Sequence, residues 1–271
     1  MDSTSTASRQ AVEEAADRLS TALATATPVP PVRDLIGADD VLAAYAVQQH
    51  LTRARLSGGA IAVGRKIGLT SPAVQAQLGV DRPDFGVLFS DMEIPADGDI
   101  RGARLLQPRV EAEVAVVLRH DLAEGDLELE QVREAVGEVA AAIEVCDSRV
   151  AGWDITFGDT VADNASAGAF VLSPERKTLE EVEPREVTMR MTVTGLEDSV
   201  GDGSACLGDP LLALQWLARQ ARELGDPLRA GEVVLTGALG PMRPIPPGST
   251  ATAHIDGLGS VTVHHSSEET A

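Results

Sequence analysis

Glu111 and Glu113, in Pro108-Arg-Val-Glu-Ala-Glu-Val-Ala-Val-Val-Leu118, and Glu144, in Ala-Ala-Ile-Glu-Val-Cys146, are carboxylates set among residues that belong in a core. In a β-strand, residues i and i+2 share a face. Val110, Ala112, Val114 and Val116 therefore turn one way and Glu111 and Glu113 the other, roughly 7 Å apart at Cα from a rise of about 3.3 Å per residue. Two bare carboxylates so placed repel each other and raise a pKa; a shared cation removes that cost. Glu144 has the same apolar setting and supplies a third oxygen ligand if its segment pairs nearby. Three carboxylates, with neither cysteine at a metal-ligand spacing, favour a hard ion, Mg²⁺ or else Mn²⁺ or Ca²⁺, over zinc. The alternative is an amphipathic strand whose wet face carries the two glutamates, paired with Arg109 or Arg149.

Other side chains suit work beside such an ion. Lys66 lies in Gly64-Arg-Lys-Ile-Gly68, on or beside a strand whose small neighbours admit a ligand. It either takes part in catalysis or neutralises the glutamates. Asp84, between Pro83 and Phe85, has the context of a turn residue bonded to its own backbone. In Leu235-Thr-Gly-Ala-Leu-Gly240 the glycines allow close backbone approach and Thr236 offers a hydroxyl, although a plain strand-to-turn junction has the same letters. Asp163, Asn164 and Ser166 suit a substrate carboxylate or an ordinary loop with local side-chain bonds. His50, His120, His254, His264 and His265 have no triad or zinc spacing.

These residues need a scaffold. Ser8 to about Ala24 and Asp39 to about Arg55 have helical periodicity, with Asp39 or Asp40 as N-cap and Gly58-Gly59 as stop. Past residue 60 short apolar strands alternate with Gly, Pro and Asp: Gly86–Phe89, Val110–Leu118, Thr188–Thr194, Glu232–Thr236, Ser249–Ile255 and Ser260–His264. Helices are expected at Leu129–Ala142 and Pro210–Leu224. The chain is thus α+β and mainly antiparallel, with no alternating βαβ series. Its expected organisation is an N-terminal helical region over 1–60, a catalytic domain over 61–265 and a frayed tail over 266–271.

Composition bounds the partners. The chain has 271 residues, 44% of them hydrophobic, enough for a substantial core. A net charge of −20 argues against nucleic acid or an anionic membrane surface. An anionic substrate then needs local cations, the metal and Lys66, to override the global field. Cys146, inside an apolar run, is expected to be a buried reduced thiol, and a disulfide framework is not expected. No stretch reaches membrane-span length and the N-terminus has no signal-peptide pattern, so a cytoplasmic protein is expected.

Six motifs occur in order: Gly64-Arg-Lys-Ile-Gly-Leu-Thr-Ser71, Gln77-Leu-Gly-Val-Asp-Arg-Pro-Asp-Phe-Gly86, Glu111-Ala-Glu113, Ile143-Glu-Val-Cys-Asp-Ser-Arg149, Ala162-Asp-Asn-Ala-Ser166 and Leu235-Thr-Gly-Ala-Leu-Gly240. Together they closely resemble the 2-keto-4-pentenoate hydratases of the fumarylacetoacetate hydrolase superfamily, over about residues 30 to 265. The resemblance implies a mixed β-roll preceded by a small helical region, and a homo-oligomer. It implies a 2-hydroxydienoate substrate, held by Mg²⁺ or Mn²⁺ on Glu111, Glu113 and Glu144. Lys66 and Asp84 would be catalytic, with Ser166 and Thr236 binding substrate. The His–Glu dyad of the superfamily's hydrolases has no counterpart, which favours hydration over carbon–carbon cleavage. A sister reading is decarboxylation of 2-oxo-3-hexenedioate or hydration of 2-oxohept-3-enedioate, because Arg243 stands where an apolar residue is expected and a cation there suits a second carboxylate. A third reading is a noncatalytic partner subunit beside a related pathway enzyme.

Overall fold

The computed structural model describes residues 7–71, 75, 82–103 and 105–267. Its helices are α1 (Arg9–Thr25), α2 (Arg33–Ile36), α3 (Val41–Ser57), α4 (Leu129–Ala135), α5 (Phe157–Ala162) and α6 (Pro210–Glu223). The strands are β1 (Ala62–Gly68), β2 (Asp84–Phe89), β3 (Glu93–Ile94), β4 (Gly98–Asp99), β5 (Arg109–Leu118), β6 (Val136–Cys146) and β7 (Ala167–Leu172), followed by β8 (Thr188–Val193), β9 (Ser199–Asp202), β10 (Val233–Ala238), β11 (Arg243–Pro244), β12 (Ser249–Ile255) and β13 (Gly259–His265).

Among the described residues the strands form two sheets. The larger runs β2-β1-β10-β5-β6-β7-β3, with β11 added beside β5; the smaller runs β4-β13-β12-β8-β9. Most neighbours are antiparallel, while β1–β10, β3–β7 and β4–β13 are parallel. This is the mixed, mainly antiparallel α+β arrangement expected. On one face of the larger sheet Val110, Ala112, Val114 and Val116 of β5 and Val139, Ala141, Ile143 and Val145 of β6 pack with Met191, Ala251, Ala253, Val261 and Val263 of the smaller sheet and with Leu214 and Leu217 of α6. Each large aliphatic side chain fully buried there stabilises the fold by about 1.5–3 kcal/mol. The opposite face carries Ala115, Ala142, Phe170 and Leu235, and the three glutamates.

The N-terminal helices start where their caps dictate. Ser8 accepts from Ala11 N at 3.1 Å and Asp40 from Ala43 N at 2.9 Å, while Gly58 closes α3. Ala15, Ala16 and Leu19 of α1 meet Ala43, Ala44 and Val47 of α3 in a core that also takes Val150 and the Phe157, Val161 and Ala162 of α5. These helices therefore share their core with a segment more than a hundred residues away. Buried Gln48 of α3 reinforces the link by donating to the carbonyls of Phe85 (2.8 Å) and Val161 (3.0 Å).

One element departs from its expectation. The helix expected over Leu129–Ala142 stops at Ala135, and from Val136 the chain is strand β6. This strand is paired on both sides, by β5 and β7, and buried along most of its length. A strand covered on both faces loses the apolar–polar alternation that marks an exposed one. Its alanines then pass for helix formers. Strand β7, buried along most of its length, was hidden for a similar reason, whereas β1 contains Lys66 as its glycine-flanked segment suggests. Of the tail expected over 266–271, residues 268–271 lie outside the described residues, as do residues 77–81 of the second motif.

Candidate metal centre and active site

Antiparallel pairing of β5 with β6 sets Glu111 directly opposite Glu144, and Glu113 opposite Ala142. Glu113 and Glu144 are fully buried, and Glu111 keeps part of its surface. Neither arginine that would suit a wet-face reading attends them. The Arg109 guanidinium lies 4.5 Å from the Trp153 ring centre, and Arg149 is ion-paired with Asp163. Instead Lys66, on β1, reaches across the sheet to place Nζ 3.1 Å from Glu144 Oε1.

Two glycines make room for this cluster. Gly237 on β10 has φ +113°, and its N–H donates to Glu113 Oε2 at 2.7 Å where the register of β10 on β5 shifts. A Cβ there would lie 2.2 Å from Thr70 Oγ1. Gly68 sits opposite Asp84 in the β1–β2 pair, and a Cβ on it would lie 2.2 Å from Asp84 Oδ1 and 3.3 Å from Lys66 Nζ. An absent side chain thus lets the carboxyl and the ammonium occupy one space. Asp84 is consequently not the turn residue its Pro-Asp context suggests. It opens strand β2, 1% exposed, and accepts from Thr160 Oγ1 at 3.2 Å through Oδ2.

Among the described residues, the buried Asp84 Oδ1, Glu113 Oε1 and Glu144 Oε2 accept no hydrogen bond, and Glu144 Oε1 faces only the Lys66 ammonium. Buried acceptors left so are costly. Loss of hydration, then the like charge of Glu144, lifts Glu111 to about 7. The same causes, with Glu111 added, push Glu113 well above the ordinary carboxylate range. Burial also raises Asp84, against the pull of Lys66. Burial opposes the Lys66 charge, but Glu144, Cys146, Asp84 and Glu111 outweigh it and hold its pKa well above the usual lysine value. Four carboxyls around one ammonium, several of their buried oxygens without a hydrogen bond, fit a divalent cation.

Ser166 is delivered by an unusual turn. Asn164, Ala165 and Ser166 all adopt left-handed backbone, with φ of 56°, 51° and 52°. Each such residue costs on the order of 1 kcal/mol or more, so the turn needs outside support. Asn164 clamps β2 through Nδ2 to Val87 O (2.9 Å) and Oδ1 from Val87 N (2.8 Å). Arg149 grips Asp163 and also donates to the carbonyls of Asp147 (2.6 Å) and Ala167 (2.8 Å). The result places Ser166 Oγ 3.5 Å from Thr160 Oγ1, beside Asp84. Arg149→Met should therefore leave the buried Asp163 carboxylate without its partner and destabilise the protein by about 3–5 kcal/mol, read as a lowered midpoint in urea unfolding; a midpoint within error of the parent contradicts this account of the turn.

Thr236 is fully buried and donates to Val114 O at 2.9 Å, so its hydroxyl proton is committed to the sheet. Arg243 donates to the carbonyls of Glu197, Asp198 and Met242, which ties β11 to the β8–β9 turn. A cavity of about 540 Å³ lined by Leu105, Gln107, Arg109, Trp153, Ile245 and His265 lies off the start of β5, and none of the clustered carboxyls lines it. Cysteines Cys146 and Cys206 are free and buried. The sequence reading missed three residues: Thr160, Gln48 and Cys146. For Cys146 a signal existed, since it follows Glu144 by two on one strand and so shares its face. Its Sγ lies 3.6 Å from Glu111 Oε2.

Residues 64–264 match the family model described as fumarylacetoacetate (FAA) hydrolase, C-terminal. The 4-oxalocrotonate decarboxylase from Pseudomonas putida G7, solved with magnesium and adipate, superposes with a TM-score of 0.90 at 32% identity, over 97% of this chain and 100% of that one. The fold is that of the fumarylacetoacetate hydrolase superfamily. The chain is 49% identical to the 2-keto-4-pentenoate hydratase of Burkholderia vietnamiensis over 246 residues, 91% of this chain and 94% of that one. It is 48% identical to the TodF product hydratase of Pseudomonas putida over 262 residues, 97% and 98%. Within the superfamily, the chain belongs to the 2-keto-4-pentenoate hydratase family.

Proposed function

We propose that this protein is a hydro-lyase that adds water to 2-hydroxypenta-2,4-dienoate (2-keto-4-pentenoate) to give 4-hydroxy-2-oxopentanoate, with Mg²⁺ or Mn²⁺ held by Glu111, Glu113 and Glu144. The observation that carries the metal reading is that buried oxygens of Glu113 and Glu144 accept no hydrogen bond among the described residues, while the β5–β6 pairing sets Glu144 opposite Glu111. Identity near one half with hydratases along nearly the whole chain supports the reaction. When bound, the ion supplies Lewis-acid stabilisation of charge building on the substrate's carboxylate and 2-oxygen.

The chain's own groups do the rest. Lys66, held cationic in the ion-free site by Glu144, Cys146, Asp84 and Glu111, attracts the anionic substrate and donates hydrogen bonds to its oxygens. Asp84 moves the proton. Thr160 occupies Oδ2, and Oδ1 is left without a hydrogen bond and beside Lys66. A pKa raised by burial brings such a carboxyl nearer the working pH, where proton transfer is most efficient. Ser166 orients the substrate from the left-handed turn. Thr236 acts through the sheet, presenting its hydroxyl oxygen at most as an acceptor. The commitment of Arg243 to backbone carbonyls removes the reason for favouring a dicarboxylate substrate. The helical region 1–60 supports Asp84 through Gln48, and assembly as a homo-oligomer in the cytoplasm completes the reading. No helix among the described residues is long and apolar enough to cross a membrane.

The test follows loss of dienol absorbance from freshly generated 2-hydroxypenta-2,4-dienoate with Mg²⁺, with Mn²⁺ and after chelation, alongside a carbon dioxide assay on 2-oxo-3-hexenedioate. Metal-dependent formation of 4-hydroxy-2-oxopentanoate is expected. Carbon dioxide release in its place would transfer the chain to the decarboxylase reading.

A pH dependence follows from Glu111. Its ion-free folded pKa, about 7, exceeds the ordinary 4.5, so the folded state prefers the protonated form. That contribution is fully present below about 4.5 and is lost as pH rises through about 7, at most about 3 kcal/mol for this group. An ion reverses the preference. Thermal stabilisation by Mg²⁺ should accordingly be larger at pH 8 than at pH 6, and an equal or smaller gain at pH 8 contradicts the assignment of Glu111 to the ion.

A further inference from the structure

We propose that Cys146 is an additional ligand at this centre, recruited by thiophilic divalent ions such as Co²⁺ and Cd²⁺ and left unused by Mg²⁺. The inference rests on the metal reading above and concerns a residue outside the carboxylate set. Cys146 is 4% exposed and ends β6 on the face that carries Glu144. Its Sγ and one carboxyl oxygen each of Glu111 and Glu144 all lie within 4.8 Å of one another. Donors sharing one ion tetrahedrally at bond lengths of about 2.0–2.3 Å are separated by roughly 3.3–3.8 Å, so a contraction of the cluster seats all three. Independently, fully buried Glu144, a member of this same cluster, has an oxygen, Oε2, with no hydrogen-bond donor among the described residues.

Glu113 is positioned differently. Its Oε2 is already held by Gly237 N, and it is not among the three mutually close donors. The centre therefore offers an all-carboxylate set and a set in which sulfur takes part. A hard ion selects oxygen, whereas softer ions gain from thiolate. Ligation is a balanced exchange: the S–H bond breaks, a sulfur–metal bond forms with the sulfur lone pair, and the proton leaves to solvent. No electron is transferred.

The test uses the metal-free full-length protein, titrated with CoCl₂ and separately with CdCl₂, and with MgCl₂ as competitor. The parent should develop a near-ultraviolet sulfur-to-metal charge-transfer band that saturates at one equivalent. Cys146→Ser should keep the visible Co²⁺ bands and Mg²⁺ binding, lose the charge-transfer band, and bind Cd²⁺ about 10- to 100-fold more weakly, the least expected when a ligand is lost, since even outer-shell partners are worth that much. Cys206→Ser should keep the band, because the Cys206 thiol points to Gly237 O at 2.8 Å. Cys146→Ala replaces the serine variant if the latter does not fold. Co²⁺ bound by the parent without the band, or a band surviving in the Cys146 variants, overturns this proposal while leaving the carboxylate centre standing. Failure of Co²⁺, Cd²⁺ and Mg²⁺ alike to bind the parent overturns both.

Discussion

Glu144→Gln should reduce hydration of the dienoate at least about a thousandfold, roughly 4 kcal/mol of barrier, while the ion-free protein unfolds at the same temperature as the parent or higher. The two halves of this result have one cause. Glu144 is fully buried, one of its oxygens has no partner among the described residues, and it stands opposite Glu111 and two residue pairs along the ladder from Glu113. Its charge is a leading reason, after burial, that both neighbours are shifted upward. Among the described residues its one ion-pair partner is Lys66 at 3.1 Å, and Lys66 retains Asp84 and Glu111 when that contact goes. An amide of the same shape removes the repulsion and can donate to the neighbouring carboxylates. With a divalent ion bound the balance inverts, because the repelling charges are now the ligands. Calorimetric unfolding with and without Mg²⁺, beside the dienol assay, checks both halves. A variant that stays active, or one that loses stability only when the ion is absent, defeats the reading of this glutamate as a ligand.

Much of this site was legible because a strand's period of two and a charge in apolar company are both visible in letters. Glu111, Glu113 and Glu144 follow from that argument, and the structure brings them together with Lys66 and Asp84. What the letters hid was register and handedness. Nothing in Asp163-Asn-Ala-Ser166 announces three successive left-handed residues, since only a tertiary clamp by Arg149 and Val87 makes that backbone affordable. Pro83-Asp84 has the local chemistry of a turn, and pairing with β1 overrides it. The helix expected through Ala142 failed because helix periodicity and a doubly covered, alanine-rich strand differ little in composition. Arg243, a cation suggestive of a second substrate carboxylate, donates to the neighbouring Met242 carbonyl and to those of Glu197 and Asp198, two remote partners that the sequence does not announce.

Asp84→Asn should lower kcat by about 10²- to 10⁴-fold with metal affinity unchanged, and the shape of the pH profile should change as well as its height. The substitution is nearly isosteric, and the buried position already favours a neutral side chain: burial raises the Asp84 pKa against the pull of Lys66. The fold is therefore expected to survive. What asparagine cannot do is exchange a proton through the atom that occupies Oδ1, the oxygen without a hydrogen bond. The parent's profile also assigns the direction of transfer. If Asp84 works as a general acid, activity falls as pH rises through its raised pKa; if as a base, activity falls as pH drops through it. Either limb should vanish in Asp84→Asn, while the acid limb set by protonation of the metal-holding glutamates, which a bound ion keeps below the ion-free value of about 7 for Glu111, remains. Thr160→Val, which removes the hydroxyl donated to Oδ2 at 3.2 Å, should displace the same limb to higher pH, because that hydrogen bond favours the ionised form. A purely structural aspartate predicts the opposite pattern, a lower plateau with both limbs in place, and that outcome would move the proton-transfer role to another residue.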